Sequence, residues 1–339
     1  MIKRNFWIVS LTILILLPVL NMAAENQSVT SDSDYRTVKW TGQFSSSEDL
    51  KAKPGFAKLM FNFIFGNDFR PLIRPVSVFT ENPDSIWVLD QGSKTLIFID
   101  QNSGQIKNYY QNNQSGFPSL ICMCRFNSYS LLLTDSKINQ IYIQNITSGK
   151  SGLLNPSLKI DRPTGIGFSD LTNEIWVAET GKHRIQVLDK EGNLLRTIGH
   201  RGTGAGEFNF PTFLTIDDIG NVYIVDSMNF RIQVFNKTGE LVNIFGEAGD
   251  ASGYFSSPKG IATDSRGHIY VVDGLFHTVQ IFDKEGNFLS YFGKQGRGHG
   301  EFWLPSGIFI DHHDRIYVAD SYNARIQMFE LTNKDDDEK

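Results

Sequence analysis

The sequence predicts an all-β fold, a ring of six four-stranded blades, and three observations carry that expectation. Thirty glycines, eleven prolines and twenty-six phenylalanines among 339 residues favour short strands and tight turns over long helices. One pattern is written six times: IWVLDQGSKTLIFI, LLLTDSKINQIYI, IWVAETGKHRIQVL, VYIVDSMNFRIQVF, IYVVDGLFHTVQIF and IYVADSYNARIQMF. The acid that ends its first strand recurs at Asp90, Asp135, Glu179, Asp226, Asp273 and Asp320, at intervals of 44 to 47 residues. A period of about 40–50 residues with four strands per unit is that of a β-propeller, and six acids make six blades.

Each unit opens at a proline: Pro75, Pro118, Pro163, Pro211, Pro258 and Pro305. Proline donates no ladder hydrogen bond and belongs at a strand edge. A unit then reads as a proline-led strand such as PKGIATD, a turn, HIYVVD, a short loop, TVQIFD, a KEGN turn and NFLSYFG. KEGN and KTGE suit a tight hairpin whose glycine takes a positive φ. Several strands are apolar at nearly every position, as burial on both faces requires. The outer strand ends in Gly199, Gly246 and Gly293, each twelve residues before the next proline; the last repeat lacks this strand. YRTVKWTG, residues 35–42, has the matching spacing and is expected to complete the sixth blade, leaving no bare edge.

Three other segments fall outside the repeat. Lys3 and Arg4 precede an uncharged run from Phe6 to Leu20 and then Ala23 and Ala24, the order of a signal peptide over residues 1–24, which would place the protein outside the cytoplasm; an uncleaved anchor is the alternative. Residues 43–74 lengthen one blade linker by 21 residues, and within them Pro54 to Phe65 are expected to form a short helix. Phe56, Leu59 and Phe63 lie on its apolar face, which either plugs the channel mouth or serves as a lid or docking surface for a protein or membrane. Residues 75–331 hold the six blades, and residues 332–339 read as a solvated acidic tail.

The strings ETGKHRIQVL and VADSYNARIQMF and the linkers GTGAGEFNFP and GRGHGEFWLP closely resemble the NHL repeat. The resemblance is strong in repeats three to six. It implies a six-bladed propeller of the bacterial extracytoplasmic type, whose faces bind proteins, peptides, nucleic acid or small ligands according to the member. A net charge of −5 and the lack of any long Lys/Arg block argue against nucleic acid.

Function is therefore sought where loops converge. In propellers of this type the loops between second and third strands and the blade linkers share one face. The linker residues Arg201, Phe210, Tyr254, Arg297, His299 and Trp303, with the insert helix, form the expected partner surface, since aromatic and arginine side chains dominate interface energetics. The expected role is a binding scaffold for a protein or peptide, with a small ligand or sugar as a further option and no cofactor. The alternative is a metal-dependent lyase or hydrolase holding zinc or calcium at the channel mouth through His183 and His277, which follow their loop acids by four residues. A related lyase that cleaves peptidyl-α-hydroxyglycine uses zinc on channel histidines, but its local metal spacing is not matched. The repeated acids are read as blade structure, because a residue present in every blade is explained by the blade. Cys122 and Cys124 point to one side of an innermost strand, as small packing residues or soft-metal ligands.

Overall fold

The computed structural model describes residues 36–46, 49, 72–110 and 116–333. The signal-like segment 1–24, the insert side chains Phe56, Leu59 and Phe63, and residues 334–339 lie outside them. Six four-stranded antiparallel sheets make up the fold. Their innermost strands are Pro75–Asn82, Leu120–Asn127, Pro163–Ser169, Pro211–Ile216, Pro258–Thr263 and Ile308–Ile310. Each runs from the linker face to the opposite face, where a tight turn leads into the second strand. The second strands are buried at almost every residue, as SLLLTD and VYIVD show, because neighbouring blades cover both faces.

The sixth blade is closed by the chain's beginning. Arg36–Phe44 pairs with Arg325–Asn333, with Val38 opposite Leu331 and Phe44 opposite Ile326. This strand runs two residues beyond the expected Gly42, and its last side chain, Phe44, is buried in the core between the sixth and first blades. Its first residue is tied down by charge: Arg36 Nη1 donates to Asp314 Oδ2 at 2.5 Å, while Ser265 of the fifth blade donates to the same carboxylate. The acidic tail therefore starts later than position 332, since the third strand of this blade continues to Asn333.

One further expectation needs correcting. The second blade places Leu120, not Pro118, opposite its acid, where Pro75, Pro163, Pro211 and Pro258 stand in theirs; Pro118 lies two residues upstream. Three of the prolines are followed two residues later by a glycine, at Gly165, Gly260 and Gly307. A Cβ on Gly165, Gly260 or Gly307 would lie 2.5–2.6 Å from a carbonyl oxygen in, or just before, the next blade's innermost strand. These glycines let adjacent inner strands touch backbone to backbone and draw the ring tight at its linker end.

Candidate functional site

The recurring acids organise the linker face. All six are buried, and each accepts a backbone N–H from the linker entering its own blade: Ile73 to Asp90, Ser119 to Asp135, Asp161 to Glu179, Asn209 to Asp226, Ser256 to Asp273 and Trp303 to Asp320. In the third, fourth and sixth blades the carboxylate also receives Nε of Arg184, Arg231 or Arg325. Arg231 goes on to the carbonyls of Thr203, Gly204 and Glu207, and Arg325 to those of Arg297, Gly298 and Glu301. The glycine-rich linkers are thus folded from beneath by buried charge-assisted bonds. Within them Glu207 and Glu301 accept Gly204 N–H and Gly298 N–H, which holds both carboxyls below their ordinary value.

The linker residues expected to form one partner surface fall into separate groups. Arg201 and Phe210 lie with His183, whose ring centroid is 4.2 Å from that of Phe210. Arg297 covers Trp303 at 4.9 Å. His299 stacks on Trp40 at 4.0 Å and 8°, so it fastens a linker to the ring-closing strand. Tyr254 is engaged by Glu247, which raises its phenol.

His183 and His277 are not brought together as the metal alternative requires. They sit in the third and fifth blades in the same role: each Nδ1 accepts a linker N–H, from Phe210 at 3.1 Å and Leu304 at 3.0 Å. Among the described residues no group of three His, Cys, Asp or Glu side chains is placed to hold a metal ion. Burial, joined at His183 by Arg201 and Arg162, lowers both imidazoles from their ordinary 6.5. Because the folded form prefers the neutral ring, their contribution to stability is complete above that value and declines as pH falls below it. His183→Asn with His277→Asn, which keeps an acceptor and tolerates the left-handed backbone at φ 54 and 59, is expected to flatten the drop in melting temperature between pH 7 and pH 5. An unchanged slope would count against these rings being held neutral in the fold.

A deep concavity lies on the other face. Where the inner strands diverge from their glycine-tightened end, they enclose a funnel of about 1450 Å³ that receives residues from all six blades. Phe79, Cys124, Phe168, Ile216 and Phe309 supply apolar wall; Glu81, Arg125, Asp170, Asp218 and His312 supply a rim of both signs. Arg125 and Asp170 pair at 3.0 Å across the second and third blades. Asp217, Asp264 and Asp311 also border it, yet each is occupied in closing its own turn, accepting N–H groups of Asn221, His268 and Arg315. Cys122 and Cys124 face the funnel from one strand, and burial raises both thiols, Cys124 strongly. Reasoning from loops missed this wall. Its signal was the residue five places after the proline, Phe168, Ile216 and Thr263, which stays half-buried on an innermost strand.

A family model described as a six-bladed β-propeller matches residues 156–244 and 254–336, together half of the chain. The chain belongs to this propeller family. Among solved structures, an auxiliary nutrient binding protein from Bacteroides thetaiotaomicron shares 16% identity with the propeller, covering 88% of this chain and 77% of its own, at a TM-score of 0.63. Virginiamycin B lyase from Staphylococcus aureus shares 16% identity, covering 76% of this chain and 95% of its own, at 0.57. Regucalcin, a calcium-binding protein from Agrobacterium tumefaciens, shares 15%, covering 79% of this chain and 94% of its own, at 0.57. Identities this low carry the fold and leave activity open. No curated protein matches the chain. Among the described residues no helix is long and apolar enough to cross a membrane.

Proposed function

We propose that this propeller is an exported binding protein that seats a short apolar peptide segment in the funnel opposite its linkers. The funnel itself supports the reading: a concavity that joins apolar side chains on its wall to polar and charged groups around its rim can both bury and orient a ligand. At about 1450 Å³ it exceeds the roughly 300–1,000 Å³ of sites for drug-sized ligands, so a larger ligand suits it. The wall favours peptide over sugar. It offers Phe, Ile, Met and Cys but no Trp, and its one Tyr, Tyr223, gives its hydroxyl to Asp217. The nutrient-binding description of one fold neighbour is in keeping with solute capture. The export half of the reading rests on the leader-like order of residues 1–24.

The funnel can be tested with N-phenyl-1-naphthylamine, an uncharged dye whose emission rises in apolar cavities. One saturable site is expected, displaced by tryptic peptides of casein and not by maltohexaose. Phe168→Arg is expected to abolish the signal while melting stays cooperative. Dye binding untouched by that change, or displacement by the sugar alone, would overturn the proposal. A second measurement uses the chain's only two cysteines. With both thiols raised by burial, iodoacetamide is expected to react slowly at neutral pH, at half-buried Cys124 before buried Cys122, and more slowly still with dye bound.

A further inference from the structure

The repeated blades provide an internal control for the linker face. His183 and His277 make the same hydrogen bond, yet their surroundings differ in charge. Arg162 and Arg201 border His183; the residues at the same places around His277 are Ser257, directly before the blade proline as Arg162 is, and Gln295, bridged to Phe302 as Arg201 is to Phe208. The blade is therefore built equally well without either arginine.

The two guanidiniums are also poorly compensated. Both are exposed, and among the described residues Arg201 has no ion-pair partner, while the nearest acid to Arg162 is Asp161, Oδ1 to Nε at 4.0 Å. Their charges act on the same imidazole, alongside a weaker opposing one from Asp226. Against the same imidazole lies Phe210, half-buried, with the Arg162 guanidinium 6.0 Å from its ring centre and the His183 ring tilted 57° against it, while Arg201 stands on the same linker, bridged to Phe208. Uncompensated like charges oppose folding, so here they work against the blade rather than for it. What they supply is a positive field beside an apolar ring.

We propose that Arg162, Arg201 and the Phe210 ring form a carboxylate-binding site at the junction of the third and fourth blades, taking an organic monoanion that carries an aromatic or aliphatic group. The guanidinium fork matches a carboxylate. With Asp161 already offsetting part of the charge, the site suits one negative charge better than the two of phosphate. The site lies on the face opposite the funnel and stands whether or not the funnel binds peptide.

Benzoate, benzamide and inorganic phosphate are the probes, followed by calorimetry on the intact protein. Saturable benzoate binding is expected, with benzamide and phosphate at least tenfold weaker. Arg201→Gln and Arg162→Leu introduce residues the chain already carries at equivalent linker places, Gln295 and, at φ 47, Leu304, so the fold should persist with unchanged circular dichroism. Each is expected to weaken benzoate at least tenfold and to leave the uncharged phenylnaphthylamine in the funnel unaffected. Absence of benzoate binding, equal binding of benzamide or phosphate, or full affinity in both variants overturns the site.

Discussion

Replacing Asp320 by alanine is expected to cost about 3–5 kcal/mol, the range for breaking a buried ion pair by removing one partner. Asp320 is fully buried, and its carboxylate receives Trp303 N–H at 2.8 Å, Arg325 Nε at 2.8 Å, Asn323 Nδ2 at 2.9 Å and Gln327 Nε2 at 3.2 Å. Arg325 is 5% exposed and cannot turn to water. Its remaining donors hold three linker carbonyls and Gln43 of the ring-closing strand, so the loss also loosens the junction where the two ends of the chain meet. The fifth blade supplies the comparison. Asp273 is equally buried but pairs with Thr278, so Asp273→Ala removes backbone partners without stranding a cation and is expected to cost less, about 1–3 kcal/mol. In denaturant melts the double change Asp320→Ala with Arg325→Leu should fall well short of the sum of its single changes, because the stranded charge is gone. Equal costs at Asp320 and Asp273 would show that the arginine is not what makes the site sensitive.

The difference between these two blades bears on what a sequence can disclose. Period, strand count and ring closure were legible because each is a local pattern repeated: the acid after an apolar run, the proline before it, and a missing outer strand with a spare one at the other end of the chain. The role of the acids was only half legible. Bonds across their own loops could be anticipated, as from Leu275 to Asp273, whereas the hold on the preceding linker spans 16 to 18 residues and depends on how the linker folds back. Placement by face failed for a different reason. Aromatic and arginine side chains in the linkers looked like one surface, but Trp40 takes His299, and the ring distributes the others over three blade junctions. The funnel was hidden because its wall is made of ordinary strand residues, each unremarkable until six strands surround one axis. Glycine in the P-x-G pattern was visible, yet only the neighbouring backbone tells why it is there.

That neighbouring backbone makes Gly307→Ala the second large effect. The added Cβ would sit 2.5 Å from Val76 O, 3.0 Å from Ser77 Cα and 3.2 Å from Val76 C, all main-chain atoms of the first blade's inner strand. A flexible side chain could swing aside; a strand paired at Pro75, Ser77 and Val78 cannot move without disturbing its own sheet. Overpacking of this kind costs about 1–3 kcal/mol and sometimes more. The position sharpens it, since Gly307 lies at the seam between the last blade and the first, where the ring must meet itself. Gly260→Ala meets Ser306 O at 2.6 Å within the run of later blades and should cost a similar amount, while Gly152→Ala, with no atom within 4 Å of its Cβ, should be neutral. If the clash acts by prising the inner strands apart, Gly307→Ala will also widen the linker end of the ring, and alkylation of Cys122 should quicken relative to Gly152→Ala. A cooperative melt at the wild-type temperature would mean that the first and sixth blades are not in backbone contact.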